Sequence, residues 1–315
     1  MKSWRLRVLA FKAIGATPFG RVAMDSLRHH LASHGQYDFN RRSYIYEDFK
    51  PLLSGELIPL EDSSIIEIGS GWHPLLPIVL HGLGAGRVVM TDVSRHMRPE
   101  YVCQTIDYVK GDGLQWLQGL PIDHDQFRLR INALAGAPGD CFDRLRDAGI
   151  EYLSPFDFSD TDFSDGEFDC VISNSCLGYI PTPILPSIFK ESARILRQDG
   201  VFVSNIHVYD DFCREGSGIT PANFLQFSES EWDRIGNSSI HHQNRLRPRA
   251  YVSLASDEGF AIEREDRVFK GLPDFSPSDV PLHADFRDLP EDEIRCRNLF
   301  LVARKPAAIT SHSCH

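Results

Sequence analysis

The tightest constraint on the fold lies at residues 65–71, IIEIGSG, where a run of branched apolar side chains stops at an acid and two glycines, Gly69 and Gly71. A short apolar run without alternation reads as a strand buried on both faces, as strands of parallel sheets are. Glycines at its exit permit a turn too sharp, and a backbone approach too close, for a residue with a Cβ. The same kind of run recurs along the chain as SSIIEIG, GRVVMTDVS, IEYLSPFDF, FDCVISNSCLGYI and GVFVSNIHVY. Between these runs lie stretches of helical spacing, including LLPIVLHGL and ILPSIFKESARILRQ, the second opened by Pro181 and Pro183 and ended by Asp199-Gly200. Alternation of this type predicts an α/β fold with a mostly parallel sheet covered by helices on both faces.

The ends and interruptions complete the expected plan. GFAIEREDRVF and RNLFLVAR read as two strands of opposite sense, a C-terminal antiparallel hairpin with a long, proline-rich connection. AMDSLRHHLASHG and YIYEDFKPLLSG read as helices of an N-terminal cap over residues 1–62. The main domain then covers residues 63–306, with polar insertions at about 113–149 and 210–250, and a disordered tail follows at 307–315.

Composition excludes several classes of function. With 42% hydrophobic and 24% charged residues among 315, the chain is of ordinary globular type. No apolar run approaches the roughly 20 residues that span a bilayer, so stable membrane insertion is not expected. A net charge of -11 argues against a nucleic-acid partner, whose phosphates call for clustered cations. The exception is the basic start, with Lys2, Arg5, Arg7, Lys12, Arg21 and Arg28 against Asp25, read as a solvated helix packed beside the main domain. Lys12 breaks the first apolar stretch, so a secretory signal is not expected and the location is read as cytoplasmic. Seven cysteines, at 103, 141, 170, 176, 213, 296 and 314, show no metal-ligand spacing and read as reduced thiols; no metal is expected. Oligomeric state is not legible.

In an open parallel sheet, ligands bind outside the carboxyl ends of the strands, where strand order reverses. Glu67 stands just before the glycine turn and offers an acceptor to an amino group. Asp92, at the end of the second strand and 25 positions after Glu67, suits the two hydroxyls of a ribose. The pair implies an adenosine-type ligand. A dinucleotide would need G-x-G-x-x-G to set its pyrophosphate on a helix N-terminus, yet the third glycine position holds Pro74.

On these residues the chain resembles the class I S-adenosylmethionine-dependent methyltransferases of small-molecule type. The match spans about residues 63–206: IIEIGSG, VVMTDVS, YLSPFDFSD, DGEFDCVISNSCLGYI and ILRQDGVFVSN, in that order, with NRLRPRAYVSLASDEGFAIE further on. The resemblance implies a Rossmann-like, seven-stranded sheet and S-adenosyl-L-methionine as methyl donor. It places the methionine portion near Glu67, Gly69, Ser70, Gly71 and Asn174, the ribose on Asp92, and the adenine near Val93, Asp157 and Phe158. His73 departs from the pattern, since many members carry a third glycine there. An NAD(P)-dependent oxidoreductase, or a non-catalytic cofactor-binding partner protein, are the competing readings.

The acceptor side is less determined. SNSCLGY at the fourth-strand exit is not the Asn/Asp-Pro-Pro-aromatic sequence that holds a planar base amine, which favours a small molecule methylated at oxygen or nitrogen. His207 in NIHVYDD is the candidate general base near neutral pH, against a role as a hydrogen-bonded histidine under the cap. Asp210 and Asp211 read as an acidic pair facing water. His241, His242 and the arginines of SIHHQNRLRPR suit either an anionic acceptor or ion pairs with the acidic C-terminal segment. Tyr37, Tyr44, Tyr46, Trp232 and Tyr251 are candidates for either pocket walls or core.

Overall fold

The computed structural model describes residues 3–17, 19–20, 24, 26, 39, 44–213, 216–271 and 274–307. Tyr37, most of the stretch AMDSLRHHLASHG and residues 308–315 of the expected tail lie outside these residues.

Seven strands, β1 Ser64–Ile68, β2 Arg87–Thr91, β3 Ile150–Leu153, β4 Phe168–Asn174, β5 Leu196–His207, β6 Ala261–Val268 and β7 Asn298–Arg304, form one sheet in the order β3-β2-β1-β4-β5-β7-β6. The first five pair in parallel, and β7 runs antiparallel to both β5 and β6. The chain builds outward from β1 to β3, then returns to the other side of β1 with β4. That reversal opens a crevice at the exits of β1 and β4, the place where open α/β sheets take ligands.

The central strands are apolar on both faces because both faces are covered, whereas the edge strand β6, AIEREDRV, is largely exposed. Ile65, Val88, Met90 and Ile172 pack on one side with α4 Leu75–Gly82, α5 Pro99–Gly111, α6 His124–Gly136 and α7 Cys141–Asp147. Their neighbours in sequence, Ile66, Val89 and Val171, pack on the other with α8 Leu185–Ile195 and α10 Pro248–Asp257. The first face also takes α2 Tyr44–Asp48 and α3 Lys50–Leu53, through Ile45, Phe49, Leu52 and Leu53. A third apolar cluster joins Trp4 and Val8 of α1 Ser3–Gly15 to Phe212, Phe224 and, from α9 Glu229–Ile235, Trp232. The basic first helix is thus anchored by its apolar stripe to the segment that follows β5.

The polar stretch 113–149 contains α6 and α7, which Asp123 and Asp140 start by accepting backbone N–H groups. Three local expectations are corrected. The helix expected to reach Asp199 ends at Ile195, because Leu196 already pairs with Phe168; Asp199, with φ of 63°, then bends the entry of β5. Cys103 and Cys141 form a disulfide, brought together where α5 packs on α7, while Cys170, Cys176, Cys213 and Cys296 are free. Spacing gave no sign of this bond, since its partners are 38 residues apart. Asp210 does not face water: it is wholly buried and accepts from Asn223 Nδ2 at 2.7 Å and the Phe212 N–H at 2.8 Å. Burial pushes its carboxyl up to about 7.

Arg247 fixes the region after β5 to the sheet. Wholly enclosed, it donates to the carbonyl of Val208, to that of Glu293 at 2.8 Å and to that of Cys296 at 2.7 Å. Burial pulls this guanidinium down to about 10, against the opposing pull of Cys296 and Glu293. Replacing it leaves three buried carbonyls without donors. Arg247→Met is expected to cost roughly 3 kcal/mol of stability, read as a lower midpoint in chemical denaturation; an unchanged midpoint would contradict this account of the joint.

Candidate active site

The β1 exit is held from two sides. Gly69 and Ser70 donate their N–H groups to the carbonyl of Thr91, at 2.9 and 3.0 Å, while Thr91 returns its hydroxyl to the carbonyl of Glu67 at 2.7 Å. Gly71 donates to Asp92 Oδ2 at 3.0 Å, and Ser94 to Asp92 Oδ1 at 3.2 Å. The loop is therefore fastened to the end of β2 by Asp92. Both glycines adopt positive φ, 74° and 67°. They differ in what surrounds them. A Cβ on Gly69 would collide with the side chain of Cys176, whereas one on Gly71 would meet nothing within 4 Å.

Glu67 lies under this loop, 5% exposed, with Oε2 fully buried and lacking any hydrogen-bond partner, as is Ser70 Oγ. Burial pushes the carboxyl up to about 7; the Ser70 hydroxyl, near enough to draw it down, is not aligned for a hydrogen bond to Oε2, and Asp92 raises it further. An unpaired buried acceptor costs about 1–3 kcal/mol, so the arrangement suits a charged donor arriving from the cavity. Burial also raises Asp92, opposed by His96 and by the N–H groups of Ser94, Gly71 and Val93. His96 stands 3.8 Å from Asp92 Oδ1 and stacks on Trp72, ring centres 5.6 Å apart. His73 turns beneath the loop. The Thr105 hydroxyl donates to the Tyr101 carbonyl at 2.6 Å, so its oxygen accepts from His73 Nδ1 at 3.3 Å.

All of this borders one cavity of about 1460 Å³. Its wall includes every residue expected to hold the donor, Glu67, Gly69, Ser70, Gly71, Asp92, Val93, Asp157, Phe158 and Asn174, together with His207. Their settings differ. Val93 is 74% exposed at the rim, an apolar side chain for a flat ligand. Phe158 lines the cavity as part of the core. Asp157 is exposed and accepts from the Ser159 N–H and hydroxyl, at 2.9 and 2.6 Å, which together hold its carboxyl below the usual range.

On the far side, Ser175 follows Asn174 with φ of 60° and places its hydroxyl 3.0 Å from His207 Nε2. Its N–H donates to the carbonyl of Asn205 at 2.7 Å, tying the β4 exit to β5. The Tyr179 hydroxyl donates to Asp211 Oδ1 at 3.2 Å, and the rings of His207 and Tyr209 lie 5.2 Å apart. Residues 238–242, from the segment after β5, close this half, and His241 and His242 belong to its wall. Burial lowers the His242 imidazole, so its neutral form is favoured.

Several expectations change. The arginines of SIHHQNRLRPR do not line the cavity: Arg245 donates to the Phe224 carbonyl at 3.2 Å and to Glu229 at 2.6 Å, and Arg247 serves the joint described above. Arg249 donates its backbone N–H to Glu293 at 3.2 Å. Tyr46, Trp232 and Tyr251 are core residues, and among the described cap aromatics Tyr44 reaches the cavity. Sequence reading missed Ser175, Tyr179, Tyr209 and the stacked Trp72–His96 pair. Only the position of Tyr179 and Tyr209 after strands β4 and β5 could have signalled them.

Substitutions separate the two glycines. Gly69→Ala combines left-handed backbone with a collision and is expected to cost roughly 3 kcal/mol, while Gly71→Ala pays the backbone term alone, about 1–2 kcal/mol. Thermal denaturation of both variants tests this; equal losses would contradict the packing seen around Cys176.

Residues 37–265 match the model of a methyltransferase domain family. Among solved structures, an S-adenosylmethionine-dependent methyltransferase from Mesorhizobium loti is similar over 82% of this chain and 97% of its own, at 16% identity and a TM-score of 0.45. A Pyrococcus horikoshii protein is similar over 86% and 92%, at 15% identity and a TM-score of 0.48. A geranyl diphosphate methyltransferase in complex with S-adenosylmethionine is similar over 84% and 85%, at 14% identity and a TM-score of 0.45. Comparison with curated protein sequences gives no match. The chain belongs to the methyltransferase domain family.

Proposed function

We propose that this chain moves the methyl group of S-adenosylmethionine to an oxygen or nitrogen of a small-molecule acceptor. The observation that carries the reading is the unpaired, buried Oε2 of Glu67 beside the open space at Gly71. A cationic amino group is the donor that such an oxygen lacks. Asp92, whose oxygens each accept one backbone N–H, keeps lone pairs for ribose hydroxyls. Val93, Phe158 and Asp157 would flank the adenine, and Asn174 the methionine portion.

When bound, the donor supplies a methyl carbon on a positively charged sulfur, open to in-line displacement. The chain's own part is to align the acceptor, exclude water and hold a proton. His207, with Nε2 at 3.0 Å from Ser175, is the group proposed to take that proton. A volume of about 1460 Å³ exceeds the range of about 300–1,000 Å³ usual for one small ligand, which leaves room for donor and acceptor together. Pro74 stands where a dinucleotide site would have its third glycine, and its ring nitrogen offers no N–H to a pyrophosphate.

Equilibrium dialysis against tritiated S-adenosylmethionine and against NAD separates the readings. Binding of the first and not the second is expected; the reverse would refute the proposal. The dependence on pH follows from Glu67. Its carboxyl, raised to about 7, is protonated below that pH and must ionise to meet an ammonium group. Affinity is therefore expected to fall about tenfold between pH 8 and pH 6, and Glu67→Gln should bind weakly with a flat profile. A flat profile in the unaltered protein would contradict the assignment.

A further inference from the structure

The half of the cavity beyond His207 has a chemical preference of its own. Tyr179 donates to Asp211 Oδ1 at 3.2 Å, and the backbone N–H of Asp211 donates to Gln243 Oε1 at 3.0 Å. Gln243 in turn donates Nε2 to the carbonyl of Tyr209 at 2.6 Å. These bonds fix residues 209–211 and Tyr179 as one corner of the wall. A carboxylate bonded to one tyrosine, Tyr179, stands there two residues after another, Tyr209; all three line the cavity and are partly exposed.

Such a corner favours a positive guest. A carboxylate with one oxygen engaged by a phenol keeps its other oxygen for a charged donor, and tyrosine faces attract a cation. Among the described residues of the wall there is no lysine or arginine, while Glu67, Asp92, Asp157 and Asp211 all contribute carboxyl groups. The arginines nearest in sequence are occupied elsewhere: Arg245 with Glu229 and the Phe224 carbonyl, Arg247 with the carbonyls of Val208, Glu293 and Cys296. An acceptor carrying a carboxylate or phosphate would face Asp211 with no described cation to meet it.

We propose that the acceptor is an amine, held as its ammonium ion by Asp211 beside Tyr179 and Tyr209. This rests on the reading of the cavity as a methyltransferase site. An ammonium nitrogen has no lone pair. One N–H bond must break, its electron pair staying on nitrogen and its proton passing to a base, before that nitrogen can act as nucleophile. His207, whose ring lies 5.2 Å from that of Tyr209, is the base beside this corner.

Ligand-observed saturation-transfer NMR tests the proposal on the full chain saturated with S-adenosylhomocysteine, using phenethylamine, 2-phenylethanol, 3-phenylpropionate and phenyl phosphate as matched probes. Binding of phenethylamine alone, or at least tenfold more tightly than the others, is expected. Asp211→Asn should weaken it tenfold or more, and Tyr179→Phe less, with S-adenosylhomocysteine affinity unchanged as the check on folding. Preferential binding of the carboxylate, phosphate or alcohol, absence of amine binding, or an Asp211→Asn variant that binds the amine normally would each overturn it. Failure of S-adenosylhomocysteine to bind would instead refute the donor site, and the same four probes on the free chain would still decide the acceptor class.

Discussion

The structure depends on one carboxylate. Asp92 closes β2 and, through the Gly71 N–H, fixes the loop that closes β1, so the two strand exits cannot move independently. Two further bonds, from Gly69 and Ser70 to the Thr91 carbonyl, make that loop an extension of the sheet. Everything proposed for the donor follows from this rigidity. Glu67 is kept under the loop, away from water, and its unpaired oxygen points to a partner that the protein does not itself supply. A looser loop would let water reach that oxygen and remove the preference for a cation.

Cost is placed where binding can offset it. Gly69 and Gly71 both use left-handed backbone, but Gly69 must also lack a Cβ to clear Cys176, while Gly71 leaves open space beside the cavity. Ser175 adopts the same region of φ without being glycine. Strain of this kind persists only where surrounding contacts over-determine it, and here the Asn205 carbonyl holds the serine N–H. The Ser175 hydroxyl is thereby set against His207, at the boundary between the proposed donor and acceptor halves.

Much of the fold was legible because its central strands are buried on both faces and cannot be mistaken for alternating ones. Glu67, Asp92 and the glycine turn were legible because β1 and β2 are adjacent, so residues at their ends meet whatever the rest of the chain does. The acceptor half was not, for a physical reason. Tyr179, Tyr209, Asp211 and residues 238–242 come together through the Gln243 bonds, the third apolar cluster and the Arg247 joint, contacts between segments distant in sequence. Helices α6 and α7 were not assigned within the polar stretch 113–149, where Pro121, Pro138 and nearby glycines break the apolar periodicity, although their capping residues, Asp123 and Asp140, were present in the sequence. The arginines misled because charge type was visible and burial was not.

The central claim is that Glu67 and Asp92 hold the two ends of the methyl donor at the β1 and β2 exits. A crystal structure of the chain with S-adenosylhomocysteine tests it most directly. The account predicts the amino group of the ligand within hydrogen-bond distance of Glu67 Oε2 and both ribose hydroxyls on Asp92, with the Gly71 N–H bond to Asp92 retained. A ligand whose amino group lies away from Glu67, or whose ribose leaves Asp92 untouched, would contradict it.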